Sequence, residues 1–146
     1  MPDEGVYAGE VSVEDAWEAL SSDPSAVLID VRTQAEWTYV GVPSLDAVGK
    51  APILIEWQTF PARVQAHDFV QQLAGHLSEL GVGRNDPLYF ICRSGSRSRS
   101  AAIAMTAAGF DRCFNIGAGF EGPIDQERHR NSLSGWRMAG LPWTQT

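Results

Sequence analysis

The sequence predicts an α/β fold: one domain built on a small central parallel sheet with helices on both faces. Three observations carry this. Short apolar runs rich in branched residues, at 26–31 and 88–91, are bounded by turn signals, the pattern of strands buried on both faces. Between them lie segments whose apolar residues recur at helical spacing. No internal repeat or low-complexity linker interrupts the alternation, and strands that alternate with helices form a parallel, doubly wound sheet.

The elements follow in order. Ser12 with Asp15 resembles a capping box, and Val13, Ala16, Trp17 and Leu20 then form a helical face until Ser21-Ser22-Asp23-Pro24 stops it. Residues 26–31 form a strand, with Asp30 and Arg32 at its end. Thr33 with Glu36 is a second capping box and opens a short helix to about Tyr39, broken by Gly41 and Pro43. Residues 51–57 read as a strand closed by Phe60-Pro61. Asp68 caps a helix carrying Phe69, Val70, Leu73, Leu77 and Leu80 on one face, and Gly81 takes the left-handed position that ends it. After the turn at Asn85-Asp86-Pro87, the strand at 88–91 leads directly into Cys92. An alanine-rich helix at about 96–108 ends at Gly109, and 112–116 is the last strand. The glycines of 117–122 predict a tight turn at the same end of the sheet. The tail, with Trp136, Leu141, Pro142 and Trp143, reads as docked irregular structure or a short helix.

Composition bounds the function. With 146 residues, 44% of them hydrophobic, the chain has material for one core, so 1–146 is expected to be a single domain with its core at about 11–120 and an extension, 121–146, docked on it. A net charge of −7 argues against nucleic acid or an anionic membrane as partner, since both need a basic surface. No stretch approaches the roughly 20 apolar residues that span a bilayer, and 1–10 has no apolar signal core, so a cytoplasmic protein is expected. Two cysteines make no disulfide framework, and no Cys or His pair stands at ligand spacing. Neither a metal nor a cofactor is expected.

Chemistry concentrates at Cys92-Arg93-Ser94-Gly95-Ser96-Arg97-Ser98. A loop leaving a buried strand for a helix turns backbone N–H groups inward, and the helix dipole adds positive charge there. Gly95 permits the dihedral angles of such a cradle, Ser94 and Ser96 leave room for a ligand, and Ser98 could cap the helix. A free thiol has a pKa of about 8.5, which at a helix start beside arginines falls to roughly 3.5–7.5, so Cys92 needs no base to act as a nucleophile. His67, His76 and His129 have no recognisable dyad partner, which weakens a cysteine-protease reading. Cations at a helix start are disfavoured unless an anionic ligand or a carboxylate such as Asp30 compensates Arg93, Arg97 and Arg99. Asp30 and Arg32 read equally as a strand-end ion pair or as ligand contacts. Cys113, in an apolar run with no cradle after it, reads as core.

These residues resemble the rhodanese-like family: the Cys92 loop, the strand end Leu28-Ile29-Asp30-Val31-Arg32, Glu36-Trp37, and the stretch from Gly117 to Phe120. The resemblance spans about 11–120, and Gly135-Trp136 with 139–143 resembles endings of some bacterial single-domain members. It implies a rhodanese-like fold and a sulfurtransferase in which Cys92 takes the outer sulfur of a small anionic donor such as thiosulfate, holds it as a persulfide and passes it to an acceptor. Thiols or thioredoxin-like proteins are the acceptors the family suggests. Loop N–H groups, including those of Ser94, Gly95, Ser96 and Ser98, would stabilise the persulfide, with Arg93 and Arg97 on the leaving group and Asp30 and Arg32 in support. The chain departs from the family at Val40-Gly41-Val42-Pro43-Ser44-Leu45, where a Gly-His-Ile-Pro-Gly-Ala pattern is common.

Two other readings stay open. Phosphatases and arsenate reductases use a similar loop, but their arginine comes one residue later, where this chain has Ser98, and the shorter bowl suits sulfur better than a phosphoryl group. Such an enzyme also needs a general acid, and nothing in the sequence places Asp46 over the loop. A non-catalytic binding module is the third reading, opposed by retention of the thiol and the whole cradle.

Overall fold

A computed structural model describes residues 6–58 and 68–145. The Phe60-Pro61 boundary and His67 lie outside the described residues. The order is β1 (Gly9–Val11), α1 (Val13–Ser22), β2 (Val27–Asp30), α2 (Gln34–Tyr39), β3 (Val42–Pro43), a 3-10 turn (Asp46–Val48), β4 (Ile53–Leu54), α3 (Phe69–Glu79), β5 (Leu88–Ile91), α4 (Ser96–Ala107), β6 (Cys113–Ile116) and β7 (Trp143–Thr144). Five strands make a parallel sheet in the order β1-β6-β5-β2-β4, so β5, the strand before Cys92, is central. Among the described residues no helix is long and apolar enough to cross a membrane.

Because side chains alternate across a strand, each central strand feeds two cores. Ile29, Val31, Leu88 and Phe90 pack with Phe69, Leu73 and Leu77 of α3 and Ala101, Ala102 and Met105 of α4. Leu28, Tyr89, Ile91 and Ile116 pack on the other face with Val13, Ala16 and Leu20 of α1 and with Trp136. Helices therefore cover both faces, as the apolar runs of β2 and β5 require. Gly81 and Gly109 follow α3 and α4 with φ of +77° and +107°, the left-handed ends read from the sequence.

Four local expectations are corrected. Ser12 accepts the Asp15 N–H at 3.0 Å but forms only that half of a capping box, whereas Thr33 and Glu36 form both halves. Asp68 does not cap α3 through its side chain; its carboxylate instead accepts from the Gln72 amide at 2.7 Å. The strand expected over 51–57 is regular only at Ile53–Leu54. Beyond it the chain still follows β2, with Ile55 N–H donating to Asp30 and Trp57 N–H to Val31, but irregularly, and Trp57 turns inward onto Phe69. Strand β1 was not anticipated: it has three residues, one of them Gly9 and one the exposed Glu10, and it exists through its pairing with β6.

The tail is irregular apart from β7. Trp136 is fully buried, its backbone N–H donates to Gly119 and its indole to Pro142, and it meets Trp17 edge-on. Strand β7 pairs antiparallel with β3, bringing Trp143 against Gly41 so closely that a Cβ there would collide with it. The segment that departs from the family pattern is thus the segment that receives the tail.

Candidate active site

Cys92 follows the central strand at its carboxyl end, and the chain turns through Gly95 into α4. Gly95 has φ +106°, and its N–H donates to Cys92 Sγ at 3.1 Å; a Cβ at this position would collide with the Gly117 carbonyl. The turn at 117–122 braces the loop from behind. Phe120 N–H donates to the Cys92 carbonyl at 2.8 Å, Glu121 and Gly122 N–H donate to that of Arg93, and Gly119, with φ +74°, leaves room that a side chain would fill. The glycines at 95 and 119 therefore serve one close approach of two backbones.

Ser98 does not cap α4. Gly95 holds the N-cap position and Ser98 lies a turn inside, fully buried, its Oγ 3.2 Å from Cys92 Sγ and 2.6 Å from Asn115 Oδ1. The turn through Gly95 starts the helix at Ser96, so Ser98 falls at its third position. Ser98 thus sits beneath the sulfur rather than in the bowl above it.

Arg97 meets a carboxylate, as its place at a helix start requires, but the partner is Glu36 and not Asp30. The pair is bidentate, at 2.7 and 3.0 Å, and ties α2 to the cysteine loop. Burial pushes the Glu36 carboxyl up, but hydrogen bonds and charge from Arg97 and the Thr33 N–H outweigh it and hold the group below the ordinary carboxylate range. Burial likewise opposes the charge on Arg97, and Glu36 outweighs it. A depressed folded value stabilises the fold above the unfolded carboxylate value of about 4.3 and loses that contribution as pH falls through the folded one. Glu36→Gln is therefore expected to cost about 1 kcal/mol at pH 7 and progressively less below about pH 4, read from urea midpoints across pH. A cost that does not vary with pH would remove the pair from the account.

Asp30 and Arg32 form the other ion pair, and here the structural reading prevails over ligand contact. Both side chains are fully buried; Arg32 Nε and Nη2 reach Asp30 at 2.9 and 2.6 Å, Nη2 also donates to the Gly41 carbonyl at 2.7 Å, and the guanidinium lies over Phe120 at 4.2 Å. Neither lines the pocket. They fasten the end of β2 to the chain after α2 and to the bracing turn.

Above Cys92 opens a pocket of about 550 Å³. Arg93, Ser94, Ser96 and Arg97 line it from the loop; Gly95 and Ser98 do not. Thr33, Glu36 and Tyr39 line it from α2, and Gln58, Glu121 and Arg130 complete it. The capping box places α2, but no signal in one sequence marks Arg130, which sits in irregular chain with Nη1 donating to the Gly122 carbonyl at 2.8 Å. Among the described residues Arg93 and Arg130 form no ion pair. Asp46 lies in the 3-10 turn and does not line the pocket. Cys113 is buried in the core with its thiol pushed up by burial to about 11, so it has little thiolate at neutral pH. Among the described residues no group of three or more His, Cys, Asp or Glu is placed to hold a metal ion.

A family model described as STR4 middle domain matches residues 8–146. The chain belongs to that rhodanese-like family. The solved structure of Rv0390 from M. tuberculosis superposes with a TM-score of 0.87 at 42% identity, covering 97% of this chain and 100% of that one. Uncharacterized protein RC0915 of Rickettsia conorii is 38% identical over 128 residues, 88% of this chain and 90% of that protein. Thiosulfate sulfurtransferase GlpE of Actinobacillus succinogenes is 24% identical over 133 residues, 91% and 87% of the two chains. The rhodanese-like fold expected from the Cys92 loop is therefore the fold of this chain, and its family is of sulfurtransferase type.

Proposed function

We propose that this rhodanese-like chain is a sulfurtransferase that carries sulfane sulfur on Cys92. The observation that carries the reading is the placement of Cys92 at the floor of the pocket, under the start of α4, with the Gly95 N–H on its sulfur. Cys92 thiolate attacks the outer sulfur of thiosulfate, the new S–S bond forms as the old one breaks, and sulfite leaves with the bonding pair. Loop N–H groups stabilise the terminal persulfide anion. Because Arg97 is engaged by Glu36, Arg93 holds the departing anion, with Arg130 beside it. An acceptor thiolate, from a small thiol or a thioredoxin-like protein, then attacks the outer sulfur and Cys92 thiolate leaves. Two buried free thiols suit a reducing compartment, the cytoplasm. The loop is one residue shorter than the phosphatase pattern, with the buried Ser98 at the phosphatase arginine position, and Asp46 stands outside the pocket; both disfavour phosphoryl transfer.

Intact mass tests this directly. Reduced protein incubated with thiosulfate is expected to gain one sulfur atom, mapped to the Cys92 peptide and removed by cyanide as thiocyanate. A folded, reduced protein that gains none would overturn the proposal and favour a binding module; turnover of a phosphate ester instead would favour the phosphatase reading.

A further inference from the structure

A buried polar chain runs away from the sulfur across three elements. Ser98 Oγ, on α4, stands 3.2 Å from Cys92 Sγ and 2.6 Å from Asn115 Oδ1, on β6. Asn115 Nδ2 donates to Glu10 Oε2, on β1, at 2.8 Å and to the Gly95 carbonyl at 3.1 Å. Ser98 and Asn115 are buried, whereas Glu10 is exposed on the edge strand.

Ser98 has one hydroxyl proton and two neighbours that could take it. The Asn115 amide is oriented by its other end: both N–H bonds have acceptors, a carboxylate and a carbonyl, so the amide oxygen must face Ser98. If the hydroxyl turned to the sulfur, two oxygens would stand 2.6 Å apart in the interior with no proton between them, an expensive arrangement. We infer that Asn115, held by Glu10, keeps the Ser98 hydroxyl turned away from Cys92, so that Ser98 offers the sulfur a lone pair and Asn115 is a positioning residue for the nucleophile.

The arrangement suits two of the three states of the sulfur. A thiol donates its proton to Ser98 Oγ. A persulfide has no proton on Sγ and carries its charge on the outer sulfur, so Ser98 need not move. Only the free thiolate is denied the hydroxyl, and a less stabilised thiolate is the stronger nucleophile. The chain thus tilts the protein toward its loaded form. This rests on the reading of Cys92 as the reacting sulfur.

The test is the pH dependence of Cys92 alkylation by iodoacetamide, read on its own peptide by mass, in the full chain and in Ser98→Ala, Asn115→Ala and Glu10→Ala, with a thermal melt of each. The other charged groups of the pocket, Arg93 and Arg97 on the loop and helix, Glu36 on α2, and Glu121 and Arg130 in the chain after β6, with the buried Asp30 and Arg32 behind them, are the same in every variant. Ser98→Ala removes the lone pair and Asn115→Ala frees the hydroxyl proton for the sulfur. Each is expected to lower the pH of half-maximal rate by about one unit. Glu10→Ala should act in the same direction but less. A rise in Ser98→Ala, the result if the hydroxyl donates to the thiolate, overturns the inference, as does an unmoved profile in a folded Asn115→Ala. Should Asn115→Ala fail to fold, Glu10→Ala takes its place, and an unmoved profile there overturns the inference equally. Alkylation needs no sulfur donor, so shifted profiles without a persulfide would sink sulfur transfer alone, and a persulfide with unshifted profiles would sink the hydroxyl arrangement alone.

Discussion

Cys92→Ser is expected to lower thiosulfate-to-cyanide transfer by a thousandfold or more, a loss on the order seen when a covalent nucleophile is removed. A serine hydroxyl is un-ionised at neutral pH, and its oxygen cannot form the S–S bond that stores the transferred atom. The fold should survive. The sulfur accepts the Gly95 N–H and neighbours Ser98 Oγ, and a hydroxyl can take both places, so stability should change by no more than about 1 kcal/mol. Initial rates at matched concentration, with thermal midpoints alongside, check both halves. Activity equal to wild type would remove Cys92 from the mechanism, and a collapsed midpoint would mean the thiol is part of the core rather than of the chemistry.

How much of this was legible in the sequence depended on whether a residue's role is decided locally. The strands beneath the site were readable because burial on both faces leaves a continuous apolar run, as in Leu88–Ile91. The capping box at Thr33 and the glycine ends of α3 and α4 were readable because a cap is decided within four residues. Strand β1 was not, since three residues containing Gly9 and Glu10 are extended only because β6 lies beside them. The same division holds in the site. The loop from Cys92 to Arg97 announces itself through composition and position, whereas its ion-pair partner does not: Asp30 ends β2 and Glu36 stands in the first turn of α2, and only the path of α2 decides which one reaches Arg97. Ser98 lies three residues inside the N-cap at Gly95, and where the helix begins after the cysteine loop is what separates a cap from a buried neighbour of the sulfur. Arg130 and Glu121 reach the pocket through irregular chain held by long-range contacts, among them Glu121 N–H to the Arg93 carbonyl and the burial of Trp136.

The second large effect is expected just outside the pocket lining, at Asp30. Asp30→Ala should destabilise the fold by about 3–5 kcal/mol, because it leaves the Arg32 guanidinium charged in the interior with no carboxylate. Solvent cannot compensate, since both side chains are fully buried, and Nη1 of Arg32 already has no partner among the described residues. A pair whose Coulombic gain only offsets its desolvation predicts a further result. The double variant Asp30→Leu, Arg32→Met should recover most of the loss, because two apolar chains of similar volume need no partner. It should not recover the site in full: Arg32 also holds the Gly41 carbonyl and lies over Phe120, which joins the chain after α2 to the turn that braces Cys92. Urea midpoints of the single and double variants, with transfer rates on the folded proteins, separate these contributions. A single variant within about 1 kcal/mol of wild type would show that Arg32 finds another partner or reaches solvent. A double variant with both full stability and full activity would show that the pair fills space at the strand end without positioning the site.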